Sequence, residues 1–303
     1  MNFFKWILLA CLWCSLAIVF SIQAVFAKSA RSSVEVNAAV SPHVATLDWT
    51  VAETLLALGV QPIGVGDIPR YQTWVQEPPL HDSVDLGLRL QPNLEQISQL
   101  PIELFINTSM YASVSEPLNA FAPVQLVDFY REGHTWQNII QATRQIATLV
   151  GRSAQAEKLI EQVEQQFIQQ QPQFKAFSER PIAIVQFDDA RHLRIYTQQS
   201  LLGEVLTRVG LHNAWSAQGN LWGTSSIDIS QLAQLPQNTQ LIVVKPYPVN
   251  VPEDLKHNTL WQRLALAQDV VVLPPIWTFG GLVSAQRFAH MLLIGLQQGK
   301  GEL

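Results

Sequence analysis

The chain has 303 residues, of which 48% are apolar and 14% charged, and a formal net charge of −5. Glycine (15) and proline (17) are near average usage, which excludes a disordered chain, a collagen and a coiled coil. No basic block exists, which argues against nucleic acid as a partner, and the length suits two ordinary domains or one large one.

The chain opens with Lys5, an apolar run Ile7–Phe20 broken only by Ser15, and Val25-Phe26-Ala27 with small residues at the −3 and −1 positions. That order reads as a signal peptide over 1–27, cleaved after Ala27. An uncleaved anchor is the alternative, because the apolar stretch can be extended to about the ~20 residues a span needs. Leu8-Leu9-Ala10-Cys11 makes a poor lipobox, with a short apolar region before it and a long one after, so a lipid-anchored form is the lesser reading. Both cysteines, Cys11 and Cys14, leave with the leader. The exported protein then has no disulfide and must rely on its core, which a chain of this size can supply.

Lys28–Val40 is small and polar and reads as a flexible lead-in. Short β-branched runs follow at Val44–Leu47, Leu104–Asn107, Val124–Phe129, Ile182–Phe187, Leu193–Thr197, Leu241–Lys245 and Val270–Leu273. Stretches of helical period separate them: Thr50–Leu58, Leu94–Leu100, Trp136–Val150, Leu201–Val209 and Leu282–Leu296. The alternation predicts an α/β fold with mainly parallel sheets. One segment breaks the rhythm. Over Ser153–Gln171, Ala156, Leu159, Ile160, Val163 and Phe167 recur at helical spacing, with Ser153 as a cap and Pro172 as a stop. A long helix joining two α/β lobes is the reading, giving lobes over 28–152 and 178–303 and a linking segment over 153–177. An ordinary surface helix of a single domain fits the same periodicity.

Several enzyme signatures are missing. Gly64-Val65-Gly66 lacks the rest of a dinucleotide fingerprint, no G-x-S-x-G elbow occurs, and the seven histidines are scattered without metal-ligand spacing. An enzyme is therefore the weaker hypothesis, and no cofactor or protein-ligated metal is expected. Three tryptophans instead sit in Gly- or Pro-flanked loops: Trp74 before Glu77-Pro78-Pro79, Trp222 before Gly223, and Trp277 between Pro274-Pro275 and Gly280-Gly281. A Trp at a strand's carboxyl end lies where α/β sheets bind ligands, and its flat face covers apolar surface at low entropic cost. Arg89 follows Asp85-Leu86-Gly87-Leu88 with no acid in the next three residues, and could offer a planar fork of donors to an oxygen pair. A solvated arginine, or one paired with Asp85, is the alternative.

Taken in order, Leu47-Asp48-Trp49 with Glu53–Gly59, Trp74–Leu80, Gly87-Leu88-Arg89 with Pro92-Asn93-Leu94-Glu95, Asn213-Ala214-Trp215, Trp222-Gly223, and Trp277 with Ser284-Ala285 resemble the periplasmic ferric-hydroxamate siderophore binding proteins of ferrichrome-type ABC uptake systems. The resemblance implies two α/β lobes joined by one long rigid helix, the helix-linked class of binding protein, with a shallow cleft between. It implies that Arg89 and Tyr111 hydrogen-bond the hydroxamate oxygens around iron, and that Trp49, Trp74, Trp215, Trp222 and Trp277 match aromatic cleft residues. Phe279 stands where a tyrosine is expected, one hydroxyl fewer. Iron arrives already wrapped by its siderophore, so no metal ligand or cofactor is required. Delivery to an inner-membrane ABC permease implies one docking acid per lobe. Glu116 matches in the first; Ser230 occupies the matching place in the second, and Asp228 is its substitute. The expected protein is a periplasmic monomer.

Binding of another chelate (a catecholate siderophore, haem or cobalamin) is the nearest rival. A strongly anionic ferric catecholate needs several cleft cations, whereas Arg89 alone is obvious. Arg70, Arg131 and Arg194 would alter that balance if they lined the cleft.

Overall fold

A computed structural model describes residues Ser41–Leu303, which form one unit. The signal-peptide reading over 1–27 and the polar lead-in Lys28–Val40 lie outside these residues.

The first half is an alternation of strands and helices: β1 (Val44–Thr46), α1 (Trp49–Ala57), β2 (Gly64–Val65), α2 (Ile68–Trp74), β3 (Val84–Asp85), a small hairpin β4 (Gly87–Leu88) and β5 (Gln91–Pro92), α3 (Leu94–Ile97), β6 (Leu104–Asn107), α4 (Ser115–Asn119), β7 (Val124–Leu126) and α5 (Thr135–Leu149). Its sheet runs β3-β2-β1-β6-β7 and every pairing is parallel. After α6 (Ser153–Phe174) come β8 (Ile182–Phe187), β9 (His192–Tyr196), α7 (Leu201–Arg208), β10 (Thr224–Asp228), β11 (Gln240–Val244), α8 (Val251–Lys256), α9 (Thr259–Arg263), β12 (Val270–Leu273) and α10 (Leu282–Gln298). The second sheet runs β10-β9-β8-β11-β12. Here β8, β11 and β12 are parallel, while β9 is antiparallel to both β8 and β10. The antiparallel edge arises because only a few residues join β8 to β9, too few for the crossover a parallel pair requires.

Each of the seven expected strands is present in some form, though Val124–Phe129 is cut to β7, Val44–Leu47 loses its last residue, and Leu193–Thr197 and Leu241–Lys245 are each shifted by one residue. The two-residue strands β2 and β3 and the polar β10 (TSSID) carry too little apolar alternation to be read from sequence.

α6 spans 22 residues, roughly 33 Å at 1.5 Å rise. Its buried positions, Ala156, Ile160, Val163, Phe167, Gln170 and Phe174, step by three or four and make one stripe. Two expectations need correction. Arg152, not Ser153, is the N-cap, and Ser153 begins the helix without capping it. Pro172 does not stop the helix, because so near its end the ring forfeits one backbone bond while fully buried Phe174 anchors the final turn. The stripe does not belong to one half. A single apolar cluster includes Ile106 and Ile139 before α6, Val163 and Phe167 on it, and Ile184, Ile242 and Phe288 after it. Through this stripe the helix packs along one side of a continuous core that draws on both halves.

Candidate functional site

The carboxyl ends of β1, β6 and β7 face the loops that follow β12 and precede β10 across a cavity of about 780 Å³. This is where α/β sheets place ligands, because successive loops diverge there. From the first half the cavity is lined by Asp48, Arg89, Thr108, Tyr111 and Asp128–Glu132, and from the second by Arg194, Asn220, Trp222, Trp277 and Phe279.

Arg89 is delivered by the β4–β5 hairpin. Leu88 pairs with Gln91, so Arg89-Leu90 form a two-residue tip, and Gly87 takes the positive φ of +80° that starts the hairpin. Pro92 belongs to this pairing, and Asn93 caps α3, accepting from the Gln96 amide at 3.0 Å. The Arg89 guanidinium carbon lies 3.7 Å from the centre of the Trp49 ring. Its Nη1 donates to the Tyr111 hydroxyl at 2.9 Å. Trp277 stands edge-on to Trp49, with ring centres 5.0 Å apart, and Phe279 edge-on to Trp277 at 5.5 Å.

The ionisable groups divide by what already engages them. Asp48 caps α1, accepting from the Thr50 and Val51 amides and from the Thr108 hydroxyl at 2.9 Å. Burial raises its pKa against the pull of these donors and of Arg89. Asp128 accepts from both the amide and the hydroxyl of Ser109, at 2.7 and 2.6 Å. Burial pushes the Tyr111 phenol up, with Asp48 adding to the effect, so it stays protonated. Among the described residues no carboxylate reaches ion-pair distance of Arg89. Three arginines (89, 131 and 194) and three acids (48, 128 and 132) line the cavity, a formal balance of zero, but Asp48 and Asp128 spend their lone pairs locally. What faces the cavity is donor capacity without excess charge.

The rim is tied together across the two halves. Trp277 Nε1 donates to the Thr50 hydroxyl at 2.9 Å, which donates to the Phe279 carbonyl at 2.9 Å. The Tyr130 hydroxyl donates to the Gly280 carbonyl at 2.8 Å. Fully buried Glu53 accepts from the Gly281 amide and the Ser284 hydroxyl, both at 2.6 Å.

The family described as "Periplasmic binding protein" matches residues 44–274. The chain belongs to this family. The iron(3+)-hydroxamate-binding protein FhuD of Escherichia coli (strain K12) is 30% identical over 259 residues, 84% of this chain and 87% of that protein. A putative ABC transporter substrate-binding lipoprotein of Bacillus subtilis (strain 168), YhfQ, is 28% identical over 59% of this chain and 55% of its own length. Among solved structures, FhuD from Vibrio cholerae with bound Fe3+-Desferal superposes with a TM-score of 0.79 at 25% identity, covering 84% of this chain and 98% of that one.

In this periplasmic binding protein the residues expected at the site fall into three groups. Arg89, Tyr111, Trp222, Trp277 and Phe279 line the cavity. Trp49 lies beneath it, 2% exposed, as the floor on which Arg89 rests, and Trp74 packs around the same small cluster without lining the cavity. Trp215 does not line it either: it packs with the cluster of Val185, Ile195 and Trp261, and it is separated from the cavity because its loop, bonded to β8 through the Ala214 amide, turns to the sheet's other face. Arg131 and Arg194 line the cavity while Arg70 pairs with Asp67. Asp48, Thr108, Asp128 and Asn220 are lining residues that sequence reasoning passed over. Each follows or precedes a strand end, the one signal that could have found them. Glu116 is exposed in the first turn of α4, whereas exposed Asp228 caps the turn at Ile229, accepting from the Ser230 amide at 2.8 Å.

Proposed function

We propose that this chain is the substrate-binding protein of an ABC transporter that takes ferric hydroxamate siderophores in the periplasm and hands them to the inner-membrane permease. The observation that carries the reading is the Arg89–Tyr111 pair at 2.9 Å, set over Trp49 and Trp277, with no carboxylate of the described residues at ion-pair distance. The ferric hydroxamates bound by the two FhuD relatives support it.

A hydroxamate bound to iron presents polarised oxygens at its surface. The Tyr111 oxygen accepts from Arg89, which leaves the phenolic O–H to donate to one such oxygen, while the unspent N–H groups of Arg89 donate to others. In a partly desolvated cleft each such bond is worth about 1.5–3 kcal/mol. Trp222, Trp277 and Phe279 cover the carbon backbone of the ligand, at about 25 cal/mol per Å² of apolar surface buried. Iron is cargo, already filled by its carrier's oxygens, so the protein supplies no ligand to it. The zero formal balance of the lining suits a neutral or weakly charged complex better than a ferric catecholate. Transport, not turnover, is the activity.

The division into lobes over 28–152 and 178–303, with 153–177 between, belongs to this reading, as do export by the leader over 1–27 and monomeric action. So does docking of the permease through Glu116 and Asp228. Asp228 already spends one oxygen on its cap, so Glu116 is the stronger of the two.

Tryptophan fluorescence titration of the exported chain with ferrichrome tests the proposal. Saturable quenching by the ferric form and none by the iron-free form is expected, with Arg89→Ala weakening binding by about tenfold or more. Superimposable curves for parent and Arg89→Ala would falsify the assignment of Arg89. Loss of uptake in Glu116→Ala with ligand binding intact supports the docking role; unchanged uptake removes it.

A further inference from the structure

We infer that Arg194 is a second ligand-recognising cation, one that selects ferric hydroxamates bearing an anionic group such as a free carboxylate. The inference rests on the hydroxamate reading above and names the ligand class within it.

The strand β9 alternates. Leu193 and Ile195 enter the cluster on one face of the second sheet, whereas Arg194 and Tyr196 point to the other. Arg194 pairs in register with Gln186 of β8, and Nη1 donates to Gln186 Oε1 at 3.3 Å. Gln186 is itself held: Oε1 accepts from the Tyr196 hydroxyl at 3.0 Å, and Nε2 donates to the Pro246 carbonyl at 3.1 Å. The Tyr196 hydroxyl is also 2.8 Å from the Thr278 hydroxyl, beside the cavity rim. A buried polar network thus sets the height at which Arg194 meets the cavity.

Its guanidinium carbon lies 5.4 Å from the centre of Phe279, a ring with no hydroxyl to compete for the cation. The cavity floor then reads Arg89, Trp277, Phe279, Arg194, with successive separations of 5.9, 5.5 and 5.4 Å. Of the lining residues contributed after α6, Arg194 is the one with charge. Asp188, its acid partner, lies outside the lining and is reached only at 3.4 Å, a long contact that leaves donor capacity toward the cavity. The iron centre of a trihydroxamate is neutral as a whole. A second cation at the far end of the floor therefore reads the ligand's periphery, attracting a carboxylate and repelling an ammonium group.

Ferrioxamine B provides a series with one iron centre and three peripheral charges. The parent compound carries a pendant ammonium, its N-acetyl derivative is neutral, and its N-succinyl derivative carries a carboxylate. Fluorescence titration of the protein is expected to rank the succinyl derivative tightest and the ammonium compound weakest, with a spread of about tenfold that narrows at high salt. In Arg194→Leu the spread should fall to about twofold while affinity for the neutral derivative stays within about threefold, and Arg194→Lys should retain the ranking. An equal spread in parent and Arg194→Leu, or no spread in the parent, overturns the inference and leaves the hydroxamate reading standing. Failure of all three probes to bind the parent overturns both. Equal melting temperatures for the variants assign the change to the ligand.

Discussion

Arg89 rests on Trp49. The guanidinium lies 3.7 Å from the ring centre, and the indole N–H beneath is committed to the Gly66 carbonyl at 2.8 Å, so the platform cannot tilt. Trp49→Phe removes that bond, part of the π face and some core volume. The expected result is a loss of about 1–3 kcal/mol in urea denaturation and a several-fold weaker complex with ferrichrome by calorimetry. Unchanged affinity despite the stability loss would show that Arg89 holds its place without the ring.

Tyr111 is 1% exposed, yet its hydroxyl reaches Arg89 and the cavity. Tyr111→Phe keeps the buried ring and deletes the oxygen that accepts from Arg89. Affinity should drop by about 5- to 30-fold with little change in melting temperature, the signature of a lost polar contact rather than a lost core. A drop in both would mean that the hydroxyl serves the fold.

Glu53 makes stability depend on pH. Burial raises its pKa from 4.5 to about 7, against the lowering effect of the Ser284 and Gly281 donors. Between those values the folded state keeps a proton that the unfolded chain releases. The stabilisation tied to that proton is complete below about pH 4.5 and is lost as pH rises through about 7. The upper bound is about 3 kcal/mol. Glu53→Gln can accept from the Gly281 amide and donate to Ser284 without titrating. Urea denaturation from pH 5 to pH 8 should show a downward slope in the parent that is shallower in the variant. Parallel curves would locate the titration elsewhere.

Gly223 places Trp222. Its φ is +71°, and a Cβ there would stand 2.2 Å from the Ser200 backbone nitrogen, so neither the conformation nor the space admits a side chain. Gly223→Ala should destabilise the fold by about 2 kcal/mol or more and weaken ligand binding together, as the loop that carries Trp222 moves. Binding at parental strength would separate Trp222 from the site.

Local structure is legible in the residues. Short β-branched runs and helical stripes mark strands and helices because pleat and helix impose periods of two and 3.6 on any chain that buries one face. Gly87, two residues before Arg89, marks a turn because few other residues reach its φ of +80°, while Gly280 after Trp277 leaves space that a Cβ would fill 2.1 Å from the Ser284 hydroxyl. Arg89 and the loop tryptophans 74, 222 and 277 stand out by their local sequence, whereas Tyr111, Trp49, Trp215 and Phe279 are marked only by the resemblance.

Destination was decided only in three dimensions. Trp215 and Trp222 sit in the same connection before β10, yet one packs under the second sheet and the other lines the cavity. Arg131 and Arg194 are ordinary charges in sequence, and Glu53 looks like any helical acid until Gly281 and Ser284 close over it from 228 and 231 residues away. Composition and period report what a residue does to its own segment. Which surface that segment meets depends on contacts between residues far apart in the chain, whose closure entropy and packing are settled by the whole core at once.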